Sequence, residues 1–417
     1  MSKDNSNFFK HKNEWSTIKD SLLGCYLTPY FQKVLRTGKP ICYIDCFAGK
    51  GKFEDGSEGS PLIALRIRGT CLRLTKITSK TGAIKTRFIE LNHASELLAS
   101  IKAVYPSFDA SDIISGAYEN NIERILGRER GNNVFLYIDP YGIKALDAAL
   151  FRKFKTMGFN SFEMLINFNS FGFFRDACRV LNVDYNMDEA LQGLDDLVEY
   201  EPTLVSADKE SEALLTSIAG GDYWKAIVLD YKTGKLDGYQ AEQRLSTEYK
   251  QQLKKDYGYV LDMPIRLKSG QRPKYRMIHV CDHEDGCFLM AQNMQKRKDE
   301  LFISIQQEDQ LSIFDIAQDF SSTAEGELLT RKQIEQLVSE CMDMFPGEVS
   351  ITKFVATFVN RYGLVCEFKM IYGILTEMEN AGKIEIRRNP PYTTNNRISA
   401  FWEENKGHSV FIRRIAQ

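Results

Sequence analysis

The stretch Asp45-Cys46-Phe47-Ala48-Gly49-Lys50-Gly51 places a carboxylate and two closely spaced glycines where an apolar run gives way to a turn. Glycines so spaced permit positive φ and close backbone approach, so the chemistry they suggest is cofactor binding; a tight turn with no ligand is the plainer alternative. The phosphate-cradling pattern GxxxxGK followed by Ser or Thr is absent. Asp139-Pro140-Tyr141-Gly142 is the second candidate. Its carboxylate can accept hydrogen bonds from an exocyclic amine, Pro140 fixes the turn and Tyr141 can stack on an extruded base, although Asp-Pro also serves as a simple turn former. Glu90 closes an apolar run, where a carboxylate can accept both hydroxyls of a ribose or merely face water. Asn167 and Arg175 are further candidates for substrate contacts.

Two other chemistries are set aside. His279, Cys281, His283 and Cys287 are zinc-ligand types, but their spacing matches no common finger. A half-buried strand followed by a turn explains them, and Cys42 and Cys46 read as packing thiols. A serine hydrolase lacks its GxSxG elbow, and the chain holds five histidines in all.

These residues need a scaffold that brings strand ends together. Residues 41–45, 86–90, 134–139 and 162–168 read as buried strands alternating with helical patterns, the signature of a parallel sheet with crossover helices. In such sheets ligands sit outside the carboxyl ends of the strands. Residues 15–35 read as an amphipathic helix carrying Ile18, Leu22, Leu23, Tyr26 and Phe31, which caps the sheet or the site. Ser60 is expected as the N-cap of a helix with Pro61 in its first turn, and residues 96–104 and 120–126 are further helices. A helical, acidic insertion is expected over about 176–255, with Asp188, Glu189, Asp195, Asp196, Glu199 and Glu201 close together. Residues 259–267 and 275–280 then read as a hairpin completing the sheet, so the expected fold is α/β, a doubly wound Rossmann-like domain over 1–304. A linker over 305–327 leads to a second domain at 328–417, where three helices and a basic hairpin follow the order of a winged helix-turn-helix.

The chain has 417 residues, with 54 Lys and Arg against 56 Asp and Glu, a formal charge of −2. Bulk electrostatics therefore cannot carry it to nucleic acid, and any such contact needs a local patch. The segment from Lys383 to the end supplies one, with seven Lys and Arg against three acids and with Tyr392, Phe401 and Trp402 interleaved. Arg387 and Arg388 are the candidate phosphate contacts there. The expected third helix, with Glu367, Glu377 and Glu379 against Lys369, would read a major groove poorly. No apolar run is long enough to span a bilayer, residues 1–15 are polar, and nine scattered cysteines fit reduced thiols, so a cytoplasmic location without membrane attachment is expected.

The runs 43–51, Gly59-Ser60-Pro61-Leu62, Phe88-Ile89-Glu90 and Ile138-Asp139-Pro140-Tyr141-Gly142 together resemble the three-Cys-motif partner family, TcmP. Further matches are Gly221-Asp222-Tyr223-Trp224 and the strand before His283, so the resemblance covers most of the chain. It implies a class I S-adenosylmethionine-dependent methyltransferase-like fold, S-adenosylmethionine as cofactor and a second protein bearing three cysteines, often likened to radical-S-adenosylmethionine enzymes, as partner. The glycine turn resembles the first motif of that methyltransferase class, which gives Asp45, Phe47, Gly49, Gly51 and Glu90 the cofactor. Asp139-Pro140-Tyr141-Gly142 resembles the D-P-P-Y of amino-methylating nucleic-acid methyltransferases, and more closely the D-P-F-G of tRNA guanine-N2 methyltransferases. These enzymes often hold the adenine amino group with an acid after the third strand, where this chain has Ala117; Glu119, Asp112 or backbone groups could substitute.

The expected activity is methyl transfer to an exocyclic purine amine in nucleic acid, catalysed through Asp139, Pro140 and Tyr141. The alternative is a non-catalytic adaptor that uses the same fold to bring nucleic acid to its partner. Gln310-Leu311-Ser312-Ile313-Phe314 resembles the pentapeptide that engages bacterial sliding clamps, or is a short apolar patch tacking the linker to a domain.

Overall fold

The computed structural model describes residues 14–75, 83–185, 208–265, 273, 275–309 and 329–415. It opens with α1 (Glu14–Val34), whose Leu22, Leu23, Tyr26 and Phe31 are buried as their spacing predicts. Strands and helices then alternate as β1 (Ile41–Asp45), α2 (Ser60–Thr75), β2 (Ile84–Glu90), α3 (Ala94–Val104), β3 (Ile113–Ser115), α4 (Tyr118–Leu126), β4 (Asn133–Ile138), α5 (Ala148–Lys155) and β5 (Ser161–Phe168). Helices α6 (Ser170–Val180), α7 (Lys209–Ala219), α8 (Tyr223–Lys232) and α9 (Gly238–Lys254) precede β6 (Tyr259–Ile265) and β7 (Tyr275–Cys281). The acidic cluster expected over 188–201 lies outside the described residues.

The seven strands form one sheet in the order β3-β2-β1-β4-β5-β7-β6. Neighbours from β3 to β5 are parallel, while β7 runs antiparallel to both β5 and β6. Asp45 is level with Phe88 on one side and Tyr137 on the other, so the carboxyl ends of β1, β2 and β4 open at the same edge. Strands covered on both faces read as nearly unbroken apolar runs, which is why β1 and β4 stood out in the sequence. Successive β1 side chains serve different layers: Tyr43 packs with α1 and α2, and Ile44 with α4 to α6 and the helices after them. β7 is buried along its whole length rather than on one face, because helices cover both of its sides.

Ser60 is the first helical residue of α2 rather than its N-cap: the Ile63 amide donates to the Gly59 carbonyl, and the Ser60 hydroxyl turns away to Asp45. After β7, α10 (Glu284–Asp309) continues into the first residues of the expected linker. Residues 310–328, including the sliding-clamp-like segment, are outside the described part. Then come α11 (Arg331–Asp343), β8 (Val349–Ser350), α12 (Ile351–Tyr362), α13 (Phe368–Asn380), β9 (Ile384–Asn389) and β10 (Ser409–Arg414), the strands forming an antiparallel sheet in the order β8-β10-β9.

Helix α12 docks on α10 and on the sheet's edge strand β6. The Val260 amide donates to Asn360 Oδ1 at 2.9 Å, and Asn360 Nδ2 donates to the Gly258 carbonyl at 3.1 Å. One side chain thus satisfies both kinds of backbone group beside an edge that would otherwise invite strand pairing. No described helix is long and apolar enough to cross a membrane, and no disulfide joins the nine cysteines.

Candidate functional site

The turn after β1 is shaped by a residue of the neighbouring strand. Gly49 and Gly51 both lie in the left-handed region, at φ 61° and 76°, a conformation glycine adopts without penalty. A Cβ on Gly51 would also stand 2.8 Å from Leu97 Cδ1 of α3. The Glu90 carboxylate accepts the Gly49 amide at 2.7 Å and the Asn92 and His93 amides at 2.9 and 3.0 Å. Three charge-assisted bonds to backbone therefore tie the glycine turn to the start of α3.

Asp45 lies beneath the same turn, fully buried. Its carboxyl accepts the Ser60 hydroxyl at 2.7 Å and the Phe47 amide at 3.3 Å. Burial pushes it up to about 7, with Asp139 and Asp20 adding to the rise and the two hydrogen bonds opposing it.

At the end of β4, Asp139 receives three side chains. Lys19 Nζ donates to its two oxygens at 2.9 and 2.8 Å, Asn167 Nδ2 to Oδ1 at 2.7 Å and the Tyr137 hydroxyl to Oδ2 at 3.3 Å. The Lys19 side chain is only 9% exposed, and its ammonium stands 5.7 Å from the centre of the Tyr275 ring. Seven residues on, the Tyr26 hydroxyl donates to Glu163 Oε2 of β5 at 2.5 Å, where His279 Nε2 also bonds at 3.0 Å. Helix α1 is thereby fixed to the sheet at two polar points.

These elements enclose a cleft at the carboxyl edge of the sheet, lined by Phe47, Gly49, Gly51, Asp139, Pro140, Tyr141 and Asn167 among the residues read from sequence. Its empty space, counted out to the open mouth, is about 780 Å³. No family model, curated protein or solved structure matches the chain. The assignment of this cleft therefore rests on its own geometry.

Other candidates fall elsewhere. Asp45 stands behind the cleft and Glu90 beside it, each bonded to backbone or Ser60 rather than lining it. Arg175 is buried within α6 and does not line the cleft. Arg387 makes a two-point pair with Glu348 at 2.9 and 2.6 Å and lies over the Phe411 ring. Arg388 donates to the Phe401 carbonyl at 3.1 Å and covers the Trp402 ring. Both are on β9, in the second sheet.

After β3, Ala117 makes no side-chain cap on α4 and Glu119 is exposed, while Asp112, just before β3, pairs with Arg87. No group of three potential metal ligands comes together among the described residues. His279 is buried against Glu163, while the His283 side chain is 68% exposed. Burial raises the Cys42 thiol to about 12, with the Glu129 carboxylate adding to the rise.

Sequence reading missed Lys19, Asp20, Asn169 and Tyr275, all of which line the cleft. Lys19 did carry a signal. It falls three, four and seven residues before Leu22, Leu23 and Tyr26, on the buried stripe of α1, where a lysine needs a partner.

Proposed function

We propose that this protein is an S-adenosylmethionine-dependent methyltransferase acting on an exocyclic purine amine in nucleic acid, alongside a three-cysteine-motif partner protein. One observation carries the reading: the glycine turn after β1 and Asp139-Pro140-Tyr141 after β4 open into one cleft, where the strand order reverses. Ligands of doubly wound folds bind at that switch point.

The residues present fit the cofactor on the side of the glycine turn. Phe47, Gly49 and Gly51 bring backbone to the cleft with no side chain beyond Cα at the two glycines. Glu90, with three backbone donors already bound, keeps capacity for one ribose hydroxyl rather than two. When bound, S-adenosylmethionine supplies a methyl group already activated by its sulfonium. The protein's part is then positioning and electrostatics. Asp139 accepts the amine hydrogen, Pro140 holds the turn and Tyr141, 43% exposed at the mouth, stacks on the base.

The C-terminal helices and the β8-β10-β9 sheet are read as a winged helix that contacts nucleic acid. Since Arg387 and Arg388 are engaged within the protein, that contact falls to the exposed Lys383, Arg397 and Lys406. The non-catalytic adaptor is favoured by a different observation, the full set of donors already on Asp139.

Calorimetric titration with S-adenosylmethionine tests the cofactor, with saturable binding expected that Gly49→Arg removes. Labelled methyl transfer to tRNA, rRNA and DNA, lost in Asp139→Asn, tests the reaction. No heat at millimolar cofactor ends the transferase reading.

A further inference from the structure

We infer that Lys19 and Asp139 together read the amidine edge of adenine, N6 with N1, in preference to the N2 edge of guanine. This rests on the methyl-transfer reading and names its acceptor.

The argument starts from saturation. A carboxylate offers about four lone-pair sites, and those of Asp139 are met by two contacts from Lys19 and one each from Asn167 and Tyr137. An incoming amine reaches Asp139 by taking over one of these positions, and Lys19, which fills two of them, can give one up while keeping the other. Lys19 cannot retreat far, because its stem is packed and α1 is held again at Tyr26 by Glu163. The displaced ammonium N–H stays beside the incoming base and needs an acceptor there, since a buried cationic donor without a partner is costly.

Adenine answers both needs at once. An N6 hydrogen goes to Asp139, and the adjacent ring N1 accepts from Lys19, so the exchange conserves hydrogen bonds. On its Watson–Crick edge guanine presents its N2 amine next to N1–H, which sets two donors face to face and leaves Lys19 unmatched, a repulsive element against the wrong base; the acceptor on the other side of N2 is N3, on the sugar edge beside the glycosidic bond, where the ribose crowds the approach. Asn167 adds an acceptor for the second amine hydrogen: it lines the cleft, is 3% exposed, and its carbonyl has no partner among the described residues. Both edges are Watson–Crick edges, so the base must be unpaired when read.

The test measures binding, separately from catalysis. Fluorescence anisotropy, with S-adenosylhomocysteine present, compares uridine-flanked RNA and thymidine-flanked DNA oligonucleotides carrying one central adenine, 1-deazaadenine or guanine. The wild type is expected to favour adenine over each of the others by at least about tenfold, the scale of one charge-assisted hydrogen bond. Lys19→Met should erase the difference between adenine and 1-deazaadenine, and Lys19→Arg should restore most of it. Preference for guanine, equal binding of all three, no binding, or discrimination that survives in Lys19→Met overturns the inference. Should Lys19→Met not fold, the three-base comparison in the wild type decides alone. Calorimetry with S-adenosylmethionine reports on the cofactor independently, so discrimination without cofactor binding supports the edge reading while ending the transferase one.

Discussion

The Glu90 carboxylate holds the Gly49 amide at 2.7 Å, across the gap between β2 and the turn after β1. A strand-end acid expected to face a ribose is thus first a brace for the glycine turn. Because it also accepts the Asn92 and His93 amides, it joins the turn to α3, so under the proposed function one side chain serves both the cofactor and the local fold.

Glu90→Gln is expected to separate these roles poorly. The amide can accept two of the three backbone donors, but its NH2 then faces a third, and the unmet bond costs about 1–3 kcal/mol. A lower melting temperature and at least about tenfold weaker S-adenosylmethionine binding are expected. Unchanged values of both would contradict the brace.

Asp45 predicts an unusual pH dependence. Its carboxyl is pushed up to about 7 in the folded chain, from an ordinary value of 3.8. Between these values the folded state holds a proton that the unfolded state has lost, so this contribution is full below about pH 4 and fades as pH rises to about 7. Asp45→Asn keeps an acceptor for the Phe47 amide and removes the titration. Its stability should gain on the wild type by roughly a few kcal/mol across that window, read as melting curves from pH 4 to 8. Parallel curves would refute the shift.

Asn360→Ala removes both bonds to Val260 and Gly258. A loss of about 1–3 kcal/mol is expected, together with faster proteolytic cleavage near β6. Equal digestion rates for variant and wild type would show that the docking of α12 does not depend on this amide.

Arg397→Ala and Lys406→Ala should each weaken binding of single-stranded oligonucleotide and lower the salt slope by about one counterion. Arg387→Ala should leave that slope unchanged, because its guanidinium is held by Glu348. The reverse pattern would return the contact to β9.

How much of this was legible in the sequence follows from where each partner lies. The glycine turn and Asp139 were visible because buried parallel strands are apolar runs and polar residues at their ends stand out. The helical character of the insertion before β6 was legible, but not its division into helices, the first of which starts at Ser170, ahead of the expected boundary. Lys19 was not, since Asp139 is 120 residues away, and only its place on an apolar stripe marked it. Arg387 and Arg388 were counted as available charge because Glu348 and Trp402 approach them only in the folded chain. Arg175 was read as a substrate contact, yet α6 buries it.

The two anchors of α1 make that helix a ruler. Lys19 and Tyr26 are two turns apart, about 10.5 Å along the axis, and each is matched to a fixed acid below, Asp139 just past the end of β4 and Glu163 within β5. Their register is therefore digital. One residue inserted between them would swing Lys19 about 100° around the axis while Tyr26 stayed in place. Evolution can change what this cleft accepts by substituting the side chains on the ruler, but it cannot change the helix's length between the marks without dismantling the wall of the cleft.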